Sequence, residues 1–182
     1  GVADWKRMGR LGVTIEQNPH DAVAHGELGR LLVEYGRCKK AIPHLKNALE
    51  RRPQAAESHY YLGLAFLKTG DWQRGKPSVD RALELRPELR YGEPWLRLGD
   101  FHLWRRQYAK ALPFYQTFTA LHSSSSEGFF KLACCCKATN DKAAAKEAFR
   151  EAVAAYRQSP SHRRRVNRYW ALRAKIALIF GL

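Results

Sequence analysis

The stretch KLACCCKATN, residues 131–140, sets Cys134, Cys135 and Cys136 side by side in a chain whose one other cysteine is Cys38. Adjacent thiols raise two chemistries, metal ligation and disulfide exchange. A structural zinc site needs four converging ligands, usually from spaced pairs. Three successive residues on a helix point about 100° apart, so they cannot meet at one ion, and the sequence offers no second CxxC or spaced histidine to complete a set. Cysteine also packs as a small buried hydrophobe, and packing is the expectation for all three. His25 and His59 stand in equivalent local contexts, which fits a structural slot. HExxH, GxSxG, GxGxxG and GxxxxGK[ST] are all missing. No general base or nucleophile can be assigned. The chain is therefore expected to be no enzyme and to need no cofactor or metal. The serine run 123–126 reads as a loop and helix cap, because Ser124 precedes Glu127 at capping-box spacing.

The composition points to a surface role. With 182 residues and 45% hydrophobic content, the chain can bury a core without disulfide staples. Its cysteine usage fits a reducing compartment. No window reaches about 18 consecutive apolar residues and no signal-peptide pattern is present, so a cytoplasmic location is expected. The formal charge is +15, from 32 Lys and Arg against 17 Asp and Glu, which favours anionic partners. Part of that excess is local. Arg163, Arg164, Arg165, Arg168, Arg173 and Lys175 occupy a C-terminal segment with no acidic residue from Gln158 onward.

These residues are positioned by an internal repeat. HGELGRLLVEYGRCKKAIPHLKNALERRP aligns with HYYLGLAFLKTGDWQRGKPSVDRALELRP, with Gly29 over Gly63, Gly36 over Gly70, Ala48 over Ala82 and Pro53 over Pro87, all at one constant offset. A third copy sets Gly99 over Gly63 at a slightly longer offset, the extra residues falling in ELRYGEP. A fourth returns to the original offset and sets Ala133 over Gly99. Each copy reads as two amphipathic helices and a tight turn. Leu28, Leu32 and Tyr35, then Tyr61, Leu62 and Phe66, then Leu98, Phe101 and His102, mark the buried side of the first helices. Gly36, Gly70 and Asn140 occupy the turn, where a left-handed residue is needed; Arg106 stands there in the third copy and would be strained or need a different turn. Residues Tyr91 and Gly92, in the expansion between Pro87 and Trp95, are expected to bend the stack locally, with Pro94 in the first turn of the next helix.

The pattern resembles the tetratricopeptide repeat: an aromatic residue, then Leu-Gly, a second aromatic, small residues and a closing proline. The resemblance implies an all-α fold, a right-handed superhelical solenoid of about four helix-turn-helix units at 22–53, 56–87, 92–123 and 126–157 within one domain. Residues 4–17 read as a preceding partial unit. Residues 161–180 read as a capping helix whose buried face would be Tyr169, Leu172, Ile176, Ile179 and Phe180.

The resemblance also implies a use. In this family the first helices line a concave groove that holds a peptide or helix of another protein. The non-core positions of those helices put Arg30, Tyr60, Leu64, Arg97, Asp100, Trp104, Phe130, Lys131 and Cys134 on the expected groove. Aromatic and apolar side chains mixed with arginine are typical of such surfaces. The expected partner is a protein segment of acidic character. Two weaker alternatives rest on charge: RNA or DNA binding through arginines interleaved with aromatics, and contact of residues 161–182 with an anionic membrane.

Overall fold

The computed structural model describes residues 1–181, the side chain of His162 apart. Leu182, the last residue of the expected 161–182 surface, lies outside the described residues. All regular structure among them is helical: α1 (Val2–Gln17), α2 (Ala22–Glu34), α3 (Cys38–Arg51), α4 (Ala56–Lys68), α5 (Trp72–Leu85), a short 3-10 turn (Leu89–Gly92), α6 (Glu93–Trp104), α7 (Tyr108–Leu121), α8 (Ser126–Ala138), α9 (Lys142–Arg157) and α10 (Ser161–Phe180). No described helix is long and apolar enough to cross a membrane.

Each first helix ends in the same hydrogen-bonded turn. Gly36, Gly70, Arg106 and Asn140 have φ of 74°, 93°, 57° and 66°. The amide that follows each of them donates back into the last turn of the helix: Arg37 to Leu32, Asp71 to Phe66, Gln107 to His102 and Asp141 to Cys136, at 2.7–3.0 Å. This Schellman closure satisfies carbonyls that a helix end would otherwise leave open. Arg106 adopts the left-handed conformation despite its Cβ, a strain the two glycines avoid. Pro43, Pro77 and Pro113 sit inside α3, α5 and α7. All three are exposed, so the carbonyl that each deprives of a partner can turn to water.

The chain forms two compact units, Gly1–Leu89 and Arg90–Leu182. In the first, α1 to α5 enclose Leu28, Leu31, Leu45, Tyr60, Phe66 and Leu89; Leu45 and Leu89 are wholly inaccessible. Burying each such leucine contributes about 1.5–3 kcal/mol. The Leu-Gly step lets helices touch: a Cβ on Gly63 would stand 2.6 Å from Val79 Cγ2 and 2.8 Å from the Gly75 carbonyl oxygen. In the second unit, Tyr115, Phe118 and Cys135 pack between α6, α7 and α8, and Phe130, Phe149 and Ala174 between α8, α9 and α10. The chain is not continuous helix before α6: Arg90, Tyr91 and Gly92 are all left-handed, and Pro94 lies in the first turn as expected.

Three expectations are corrected. Tyr35 is exposed, because it ends α2 and its hydroxyl reaches outward to donate to Asp4 Oδ2 at 2.8 Å. The N-cap of α8 is Ser125 rather than Ser124: its Oγ accepts from the Gly128 amide at 3.2 Å, in register with the caps Asp21 and Ala55 of the earlier repeats. His25 and His59 do occupy equivalent structural slots. Each Nε2 meets the carbonyl of the proline that closes the preceding segment, His25 to Pro19 at 3.1 Å and His59 to Pro53 at 2.9 Å. The largest reversal concerns α10. It packs through Asn167, Ala171, Ala174 and Ala177, while Tyr169, Leu172, Ile176, Ile179 and Phe180 face solvent. Alanine lets α10 lie close to α8 and α9, whose phenylalanines supply the volume, and Asn167 Nδ2 anchors it by donating to the Ser124 carbonyl and Ser159 Oγ.

Candidate partner-binding surfaces

In the first unit, α2 and α4 border a cavity of about 430 Å³. Arg30 stands in its wall and donates to both carboxylate oxygens of Glu34, at 2.8 and 2.9 Å, and Tyr61 donates to the same carboxylate at 3.0 Å. Arg7 pairs with Glu27, and Arg86 lies 3.6 Å from Glu57. Arg52 also lines the cavity and makes no ion pair among the described residues. Tyr60 and Leu64, expected on the groove, are buried in the core, at 1% and 8% exposure. The reason is that α4 is enclosed on every side from Tyr60 to Leu67, so helical phase no longer separates a core face from a groove face.

In the second unit a charged chain runs over α6 and α8. Arg90 donates to Glu93 at 2.7 Å, and Arg97 donates to Glu93 and to Asp100 Oδ2 at 2.9 and 3.0 Å. Lys131 bridges Asp100 Oδ1 and Glu127 at 2.7 and 2.6 Å. Tyr115 adds a hydrogen bond to Asp100 Oδ1 at 2.8 Å. Burial works against ionisation of Glu93, but Arg90 and Arg97 outweigh it and hold the carboxyl below its ordinary value of 4.5. Burial and the Asp100 charge push the Tyr115 phenol far up, so it stays a neutral donor. Asp100 is thus the centre of a buried network rather than an open contact. The sequence signal for it was the spacing of Glu93, Arg97 and Asp100 along one side of α6, but its Tyr115 partner lies on α7.

Glu93, Arg97 and Glu127 also line a cavity of about 290 Å³, with Arg90, Phe118, Asn167 and Arg163 of α10. Arg163 was not foreseen at this position, and no ion pair engages it among the described residues. Phe130, expected in the groove, is 8% exposed; it packs on Phe149 and Trp170, and the Arg173 guanidinium lies 4.6 Å from its ring centroid. Cys134 is half-buried and borders an apolar cavity of about 580 Å³ between α8, α9 and α10. Trp104, at the end of α6, is 64% exposed.

Cys135 is wholly inaccessible and Cys136 nearly so. Burial pushes the Cys135 thiol up to about 12, which removes the thiolate that redox or metal chemistry would need. Among the described residues, no group of three or more His, Cys, Asp or Glu side chains is placed to hold a metal ion.

The residues on these surfaces offer ion pairs and hydrogen bonds. A tetratricopeptide repeat profile matches residues 27–89 and again 64–126, and a second profile of the same description matches 126–159. No curated protein matches the sequence significantly. Among solved structures, MamA is 18% identical with a TM-score of 0.72, covering 83% of this chain and 81% of that one. YrrB, titled a TPR protein with an unusual peptide-binding site, is 23% identical with a TM-score of 0.58, covering 93% and 90%. The APC/C hetero-tetramer Cut9–Hcn1 is 16% identical with a TM-score of 0.67, covering 94% of this chain and 34% of that one. At these identities the likeness shows a shared fold. The profile matches extend over most of the four repeats, and the chain belongs to the tetratricopeptide repeat family.

Proposed function

We propose that the chain is a non-catalytic scaffold that binds an acidic, extended or helical segment of another protein on its first-helix faces. One observation carries the acidic character. The cavity on α2 and α4 is lined by Arg30, Arg52 and Arg86 against Glu27 and Glu57. The cavity of the second unit repeats that balance with Arg90, Arg97 and Arg163 against Glu93 and Glu127. In each, one arginine, Arg52 or Arg163, has no carboxylate partner among the described residues, and a bound acid would supply it. The YrrB title, naming a peptide-binding site on a protein of the same fold, supports a peptide ligand. Four unbridged cysteines support a reducing, cytoplasmic setting.

The test is selection from a random peptide library displayed on phage, followed by anisotropy titration of the enriched peptides. The expected peptides carry Asp or Glu and bind Arg52→Ser or Arg163→Ser about tenfold or more weakly, as loss of a charge-assisted pair predicts. Enrichment of peptides without acids, or equal affinity for wild type and both variants, would count against the reading. So would tighter binding of a single-stranded RNA that both substitutions leave intact.

A further inference from the structure

Helix α10 is used on two opposite sides. Its inward positions are Asn167, Trp170, Ala171, Ala174, Ala177 and Leu178, which pack on the second unit. Its outward side carries Tyr169, Leu172, Ile176 and Ile179, exposed by 57%, 57%, 42% and 76%. The spacing of these four is 3, 4, 3, the a and d positions of a heptad. The e and g positions beside them hold Arg168, Arg173 and Lys175, with Phe180 as the one exception. The b, c and f positions, which solvent would claim in a free coiled-coil strand, are the ones α10 buries against its own chain.

The width and charge of this seam select its occupant. An interfacial membrane helix needs a broad apolar face, whereas here the middle of the apolar row, Leu172 to Ile176, is narrow and flanked by Arg168, Arg173 and Lys175, with Val166 and Phe180 widening it only at its ends. A second copy would set Arg168, Arg173 and Lys175 against their own equivalents in a chain of charge +15. An acidic helix meets both demands, with apolar knobs in the seam and glutamates opposite the arginines and lysine. We propose that the outer face of α10 docks an acidic amphipathic helix of a partner protein in coiled-coil register, as a second interaction surface separate from the first-helix cavities.

The probe is a synthetic three-heptad peptide with Leu at a and d and Glu at e and g. Its twin carries Lys at e and g, and vesicles rich in phosphatidylserine form a third arm. The full chain should bind the acidic peptide and not the twin. Leu172→Gln/Ile176→Gln should weaken that binding by about tenfold or more, and Arg168→Glu/Lys175→Glu should exchange the preference for the lysine twin. All four side chains are exposed, so helicity and melting should match wild type. Should either variant melt lower, Ile179→Gln at the most exposed seam position replaces it. Failure of the acidic peptide to bind, or equal binding by wild type and the seam variants, overturns the proposal. Vesicle binding lost in the seam variants without peptide binding assigns the face to lipid and overturns it as well.

Discussion

His25 and His44 face each other through Nδ1 at 2.9 Å, so one of those two nitrogens carries the proton and the other accepts it. The Nε2 of His25 meets the Pro19 carbonyl, which only accepts; His25 therefore donates there, and its Nδ1 receives the N–H of His44. Burial, with the neighbouring His25, lowers the pKa of His44 below 6.5. The unfolded chain then binds more protons than the folded one below that pH, so stability present above 6.5 falls as the pH drops. Urea midpoints should decline between pH 7 and 5.5, and His44→Leu should flatten that decline. Glu93, held below 4.5, responds only in more acid solution, which separates the two effects.

The repeat was legible because Gly36 and Gly70 mark one turn in successive copies and Pro53 and Pro87 mark the end of each second helix; two of the four Schellman closures fall on those glycines, and the other two fall in phase on Arg106 and Asn140. The face of α10 was not. Large side chains offer far more area to bury than alanine, so Tyr169, Leu172 and Ile176 read as the buried stripe. What decides is the partner: Phe130 and Phe149 already fill the space, and only alanine lets α10 approach. Of the residues expected to be accessible on the first helices, Arg30 and Arg97 stand in cavity walls, whereas Tyr60 and Leu64 lie on a helix enclosed all round, and enclosure is a tertiary fact that phase along one helix cannot carry.

Glycines at one repeat position should differ in tolerance. A Cβ at Gly63 meets backbone, the Gly75 oxygen at 2.8 Å and the Val79 nitrogen at 2.9 Å. A Cβ at Gly29 meets only the Leu45 side chain, at 2.5 and 2.8 Å. Gly63→Ala should cost about 1–3 kcal/mol, the range for overpacking, and Val79→Ala should not rescue it. Gly29→Ala should cost less and recover with Leu45→Val. Equal cost at both sites, by chemical denaturation, would refute the distinction.

Arg106 and Ser126 each break a local rule. Arg106 takes φ of 57° where repeats one and two have glycine, and the Ser126 hydroxyl is buried with no hydrogen bond among the described residues where they have Ala22 and Ala56. Arg106→Gly should stabilise by up to about 1 kcal/mol, left-handed strain being offset in part by glycine entropy. Ser126→Ala should add about 1 kcal/mol by removing an unsatisfied hydroxyl. The double variant should melt a few degrees higher, at about 2–4 °C per kcal/mol. No gain in either single variant would mean that the strain or the lost hydrogen bond is relieved elsewhere.

Asp100 is the residue on which the second unit's polar network depends. Its Oδ1 accepts from Tyr115 and Lys131, and its Oδ2 from Arg97. The side chains of Asp100 and Lys131 are 7% and 11% exposed, so removing one leaves the other charged in a site that water barely reaches. Asp100→Asn should cost on the order of 3 kcal/mol, as for a broken buried pair. Lys131→Met alone should cost less, because Arg97 and Tyr115 still engage the carboxylate. In Asp100→Leu/Lys131→Met both charges leave together, and Arg97, 30% exposed, keeps Glu93 and lies 3.9 Å from Glu127. The double variant should therefore be more stable than Asp100→Asn, with a coupling above about 1 kcal/mol in the cycle built from Asp100→Leu and Lys131→Met. Purely additive losses would show that Asp100 and Lys131 act independently and that the network is a surface feature.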